Sequence, residues 1–569
     1  MKNKIKKIFA SFNPVEKYLI ALFGLIIIGS ALALGVQTYI SKTTAVAVEG
    51  GEYREATVGS PRFINPILSS TNDIDRDLVS LIYSGLVTYD SAGNIVPDLA
   101  ENFEISENGK EYKFTLKNNL VWEDEKPLTV DDVVFTIETI QNPRYSSPLY
   151  QSWQGIKVSK ENENTVIFEL SSAYPPFLEN ATLGILPKHI WESMDPQNFT
   201  LTDLNLQPIG SGPFSVEKFT KSNTGLISSY TLARNNSYHG KKPYINKITF
   251  KFYPTEEDAI RAYNSKAADG LSFLSPSNIE LLRDTRSLNL HEFKIPRNFV
   301  IFFNQDKNPL LKSKNIREAL YSATNQNTII KDVLGGFGEV ADSPIPVNLV
   351  KYYNENLQTP HYDLARARAL LAQEGWEDLN NDGVREKLPD EDEDEDIAQQ
   401  KLAFTLVTAR RPELAKVAEL IKQQWAEAGI ELNINTMELG ELQQNYIRPR
   451  SYEMLMFGMI LGAIPDPYPF WHSSQAEDAG LNLAKYKSQT ADTLLEQARR
   501  QTSEEKAIEQ YKEFQEIVVE DIPVIFLYDS AYIYPINKGV QGIQPGFIVD
   551  SSHRFSDVSN WYIETKRVF

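Results

Sequence analysis

The chain has 569 residues, with 57 Lys and Arg against 76 Asp and Glu and no cysteine, so its formal net charge is −19. That charge repels nucleic-acid phosphates and anionic lipid surfaces, and the missing cysteine excludes disulfides, thiol nucleophiles and a thioether-linked lipid. A polypeptide of this length outgrows one core and is expected to form two or three domains, while 27 Tyr, 28 Phe and 7 Trp leave aromatic surface to spare.

The first segment is a lysine-rich tail, residues 1–17, carrying Lys2, Lys4, Lys6, Lys7 and Lys17 against Glu16. Residues 18–41 follow without a charge, and at helical rise they are long enough to cross a bilayer once. Glu49, Glu52 and Glu55 come soon after, so the positive-inside rule leaves the tail in the cytoplasm and exports the remainder. Ala45-Val46-Ala47 has the small residues a signal peptidase accepts, which keeps a cleaved, secreted or periplasmic form open. The length of the apolar run, and the distance of that site beyond it, favour a retained single-pass membrane helix with residues 42–52 as a linker.

Beyond the linker, mixed α and β patterning is expected. Residues 109–116 and 164–170 alternate polar and apolar side chains as half-buried strands do. Thr129 opens a helix between them, with Asp131 and Asp132 in its first turn. Residues 363–375 and 412–429 read as amphipathic helices, each closed by a glycine. The second of these lies between strands at 401–406 and 430–434, which implies a parallel pair with a right-handed crossover. Seven consecutive acids, residues 390–396, repel one another and are expected in a solvated loop.

Signals for catalysis or metal binding are sparse. Asp378, Asn380 and Asp382 before Gly383 have the alternating oxygens of a calcium loop, but the twelfth position is Pro389 instead of a bidentate acid, and a polar turn is expected. His189, His239, His291, His361, His472 and His553 never fall at the spacing that presents two ligands to one zinc. Gly210-Ser211-Gly212 lacks both a nucleophile-elbow frame and a Walker lysine and reads as a turn. No catalytic residue, metal site or cofactor is expected.

Several segments occur in a familiar order: Asn65-Pro66; Leu86-Val87-Thr88-Tyr89-Asp90; Pro97-Asp98-Leu99-Ala100; Trp122 with Leu128-Thr129-Val130-Asp131-Asp132; and Pro208-Ile209-Gly210-Ser211-Gly212-Pro213-Phe214. Asn315-Ile316-Arg317-Glu318-Ala319-Leu320, Tyr362-Asp363-Leu364-Ala365-Arg366-Ala367, Gly375-Trp376 and Asp466-Pro467 continue it. Together they resemble the family 5 solute-binding proteins of ABC importers, the oligopeptide- and dipeptide-binding group, over nearly the whole exported part. The resemblance implies an α/β, two-lobed periplasmic-binding-protein fold preceded by the membrane helix. Lobe I would take residues 53–294, with an extra domain inserted at about 86–205, lobe II residues 295–528, and residues 529–569 would return to lobe I. It implies a monomer that is not an enzyme, closing on a peptide or small oligomeric solute and delivering it to permease subunits in the membrane. The rival readings are a peptide-sensing receptor or scaffold without transport, and an extracytoplasmic hydrolase.

Peptide-binding members hold the ligand's α-ammonium with an aspartate three residues before the acid of the Asp466-Pro467 pair. This chain has Ala463 there, after Gly462, and Ile460 where a tryptophan is usual. The expectation is a lost ammonium anchor, with Asp466 as a possible substitute. The resemblance places Ser69, Ser70 and Thr71 along the cleft, Tyr145, Tyr150 and Trp153 as walls from the inserted domain, and Arg297 with Asn298 at the hinge or cleft mouth. Asn482 and Tyr486 match the family's asparagine segment near the cleft.

Overall fold

The computed structural model describes residues 12–223, 225–283, 286–388 and 400–569. Lys2, Lys4, Lys6 and Lys7, Pro389 and the acidic run 390–396 lie outside the described residues. Two long antiparallel strands, Leu288–Phe303 and Val524–Asn537, join the halves of the molecule. Each leaves one hydrophobic core and enters another. Phe293, Ile295, Tyr532 and Tyr534 belong to the first core, Val300, Ile301, Val524 and Ile525 to the second. At the crossing the register slips, since Lys294 faces Ala531 while Asn298 faces Asp529. Pro296 sits in this bulge, where its missing N–H interrupts no regular ladder.

These strands lie inside one sheet that spans both lobes. On the lobe II side it continues through Met454–Ile460, Ala403–Ala409 and Glu431–Met437; on the lobe I side through Gly270–Leu271, Glu52–Val58, Lys247–Tyr253, Ile227–Arg234 and Phe214–Lys221. Ala403–Ala409 and Glu431–Met437 pair in parallel around the helix Pro412–Glu427, the crossover expected from the sequence. Gly429 ends that passage at φ +84°, a backbone region that favours glycine. The turn before Phe214–Lys221 needs glycine for another reason: a Cβ on Gly210 or Gly212 would overlap the Ile82 backbone.

A separate four-stranded antiparallel sheet is built from Ala100–Ile105, Glu111–Leu116, Thr165–Glu169 and Lys157–Asn162. Glu111–Leu116 buries alternate residues, Tyr112, Phe114 and Leu116. The helix Val130–Gln141 packs beside it, and the Asp132 carboxylate accepts the Thr129 N–H at 2.8 Å, closing the first turn.

The end of the chain is tied into lobe I by a buried ionic network. Arg554 donates to Asp77 Oδ1 and Oδ2, each at 2.6 Å, and to Glu55 Oε1 at 2.5 Å. Glu55 Oε2 accepts the hydroxyls of Tyr53 at 2.8 Å and Tyr534 at 2.6 Å. All five side chains are excluded from solvent.

The N-terminal helix runs Pro14–Lys42, long and apolar enough to cross a membrane, with no buried residue. Asn13 and Glu16 cap it reciprocally. Where a linker was expected, Thr44–Ala47 forms a strand paired with Thr565–Val568.

Candidate functional site between the lobes

Pro175 and Pro176 lead into the short helix Phe177–Asn180, whose Phe177 ring packs on Tyr112, Phe168 and Trp153 at 4.7, 5.3 and 5.8 Å. With Phe177 held in the lobe I core, Glu179 reaches across to lobe II. Its Oε1 accepts the Ile464 N–H at 2.6 Å, and the Ala463 N–H also points to the carboxylate. The loop can approach this closely because residue 462 is glycine; a Cβ there would overlap the Glu179 carboxylate.

Burial raises the Glu179 carboxyl to about 7; the two backbone N–H groups pull against that rise, and the nearby charge of Asp466 adds to it. Among the described residues Glu179 forms no ion pair. A half-buried carboxylate facing the other lobe is costly to ionise without a cation.

Asp466 is differently placed. Its Oδ2 pairs with Arg499 at 3.1 Å and accepts the Tyr174 hydroxyl at 3.1 Å. The Arg499 guanidinium lies over the rings of Tyr468 and Tyr174, 4.5 and 5.0 Å from their centroids. Tyr174 comes from lobe I, Asp466 and Arg499 from lobe II, so this is a second link across the cleft. A cavity of about 640 Å³ opens where Leu178 and Ile464, the neighbours of the first link, face each other. Tyr112, Pro176 and Leu178 line it on one side and Tyr352, Ile464 and Tyr511 on the other. Its size and largely apolar lining suit a small organic ligand or part of a peptide.

The sequence candidates divide. Gly462, Ala463 and Asp466 lie in the loop that meets lobe I. Arg297 and Asn298 lie at the strand crossing: Arg297 Nε donates to Ser530 Oγ at 3.1 Å, and Asn298 Nδ2 to the Ser343 carbonyl at 2.7 Å. Ser69–Thr71 forms a single turn of 3-10 helix, with Ser69 buried and the Ser70 carbonyl accepting from Arg76. Tyr145 stacks edge-on against Phe199 at 4.9 Å and Tyr150 is half-buried on a short helix, so both pack with lobe I.

Three further candidates are packed inside the lobes. Trp153 is core, 2% exposed against Phe168 and Phe177. Asn482 is fully buried, its amide nitrogen donating to the Trp471, His472 and Tyr486 carbonyls, which commits it to holding its own loop. Tyr486 is buried with its hydroxyl on Asp521 at 2.5 Å. The oxygens of Asp378, Asn380 and Asp382 accept the backbone N–H groups of Gly383, Asp382 and Val384, and Lys401 pairs with Asp382, as in a polar turn. Glu179, Tyr174 and Arg499 escaped sequence reading; a lone acid after Phe-Leu carries no local pattern, and its partner is 285 residues away.

A sequence profile of the bacterial extracellular solute-binding proteins, family 5 (Middle), matches residues 94–480. The oligopeptide-binding protein AppA of Bacillus subtilis (strain 168) is 29% identical over 515 residues, 87% of this chain and 88% of AppA. Its structure in complex with a nonapeptide has a TM-score of 0.71 at 26% identity, covering 91% of this chain and 100% of that one. The dipeptide-binding protein of Escherichia coli (strain K12) is 28% identical over 556 residues, 93% of this chain and 98% of the relative. CtaP of Listeria monocytogenes, an ABC transporter substrate binding protein, has a TM-score of 0.77 at 25% identity, covering 90% and 99%. The two-lobed fold is therefore that of the periplasmic binding proteins, and the chain belongs to the bacterial extracellular solute-binding proteins, family 5.

Proposed function

We infer that this protein is the extracytoplasmic substrate-binding component of an ABC importer, that it encloses a peptide between its lobes, and that Glu179 receives the peptide's α-ammonium. The observation that carries the last point is a half-buried carboxyl with no cationic partner among the described residues, seated on the backbone of Ala463 and Ile464, the second of which lines an aromatic-walled cavity. Residue 463 brings no carboxylate, but one reaches the same stretch of loop from the facing lobe. Peptide as the ligand class is supported by relatives that bind oligopeptides and dipeptides. Capture needs no bond to be made or broken: closing the hinge at residues 295–298 and 529–531 sequesters the ligand, and a permease receives it.

The helix Pro14–Lys42 then serves as the anchor that keeps a monomeric binding domain at the outer face of the cell membrane. A spanning helix resists high-salt washing because charge does not hold it. Recovery of a soluble protein that begins at Val48 would show cleavage instead.

The ammonium assignment is tested with a nonapeptide and its N-acetylated counterpart, titrated calorimetrically. The free amine is expected to bind about ten- to a hundred-fold tighter, the worth of a hydrogen bond to a charged group. Equal affinities would remove Glu179 from the ligand site.

A further inference from the structure

The helix Pro14–Lys42 is joined to lobe I more firmly than a tether requires. Thr44–Ala47 pairs with Thr565–Val568 along its whole length, Thr44 opposite Val568 and Ala47 opposite Thr565. The Arg567 guanidinium reaches back to the helix end, donating to the Ile40 carbonyl at 3.1 Å, the Thr43 carbonyl at 2.9 Å and the Thr43 hydroxyl at 3.0 Å. Carbonyls of a last turn have no partner within the helix, and a cation there meets the negative end of the helix dipole. Past the strand, the Val48 N–H donates to the Glu564 carbonyl, the Gly50 N–H to the Tyr244 carbonyl, and Glu52–Val58 enters the main sheet alongside Lys247–Tyr253.

The same joint carries side chains suited to a headgroup layer. Tyr39 and Phe569 meet edge to face at 6.2 Å and are 47% and 93% exposed, and Lys42, Lys566 and Arg567 are exposed around them. Aromatic rings and basic side chains at the end of a spanning helix match the membrane–water interface.

Building on the reading that the helix stays in the membrane, we propose that strand Thr565–Val568 is an orientation clamp. It fixes lobe I at one angle on the headgroup layer, so that hinge closure moves lobe II alone and the cleft meets the permease in a constant pose. Without the clamp residues 43–47 would be a flexible leash.

The cysteine-free sequence permits a direct test. Leu32→Cys on the helix and Lys218→Cys on the lobe I strand Phe214–Lys221, both exposed, are spin-labelled in the full chain held in lipid nanodiscs. A single narrow distance distribution is expected. In a variant ending at Glu564 it should broaden by on the order of 10 Å, the spread of a coil of about five freed residues. Arg567→Ala should broaden it less and preserves the strand pairing, which guards against a folding defect in the truncated variant. Unchanged width in both variants overturns the clamp while leaving the anchor intact. Release of the protein with Val48 as its first residue overturns the anchor, and the clamp with it.

Discussion

Glu179→Gln is expected to weaken binding of free-amine peptides about ten- to a hundred-fold and to flatten its dependence on pH. In the closed, ligand-free state the Glu179 carboxyl keeps its proton up to about pH 7, chiefly because burial penalises the charged form. A bound ammonium favours the ionised form and returns the group toward or below the ordinary carboxylate range. Between roughly pH 4.5 and 7 the ligand-bound protein therefore holds fewer protons than the ligand-free one, and affinity rises with pH across that window before levelling off, by at most about ten-fold per unit. N-acetylated peptides offer no ammonium, so they should bind no better as pH rises. Glutamine keeps the size of the side chain and does not titrate, hence the flat profile. Adding Ala463→Asp to Glu179→Gln should restore both the preference for the free amine and the rise with pH, because a carboxylate then stands on the same loop. Calorimetry between about pH 5 and 8, in buffers of differing ionisation enthalpy, measures affinity and proton release together. Identical profiles for the native protein and Glu179→Gln would contradict the assignment.

Arg554→Ala should destabilise lobe I by about 3–5 kcal/mol, the usual cost of removing one partner from a buried ion pair. The loss comes less from the missing attraction than from what remains: Glu55 and Asp77 with no cation, both shielded from water. Burial already lifts the Asp77 carboxyl to about 6, against the pull of Arg554, and without the guanidinium it rises further. The network also fastens residues 551–555 to strand Glu52–Val58 and helix Asp73–Ile82, so the end of the chain should loosen with it. Urea unfolding monitored by circular dichroism, together with hydrogen exchange of residues 529–569, reads both effects. A loss below about 1 kcal/mol would mean that the pair contributes no more than an exposed salt bridge.

Local structure was legible in the sequence wherever one element settles its own fate. Alternation announced Glu111–Leu116 and Thr165–Glu169, and capping residues announced Val130–Gln141 and Leu364–Gln373, with boundaries displaced by only a few residues. The parallel pair around Pro412–Glu427 followed from short joins. Thr44–Ala47 was not legible, because four small residues become a strand only through a partner at Thr565–Val568. The site was harder still. Asn482 and Tyr486 match a cleft segment in sequence, yet their polar atoms are spent on Trp471, His472 and Asp521, an outcome that depends on how the loop folds back. Ala463 brings no carboxyl to its loop; the one that meets the loop arrives from Glu179 on the other lobe, and residue spacing holds no trace of that contact.

Native mass spectrometry of the full chain, purified in detergent from the cells that make it, reads whether a peptide is held between the lobes. The expected result is a family of bound masses that fragment as peptides with free amino termini and disappear when the protein is unfolded and refolded. A single bound species that does not fragment as a peptide, such as a sugar or a metal chelate, would contradict it.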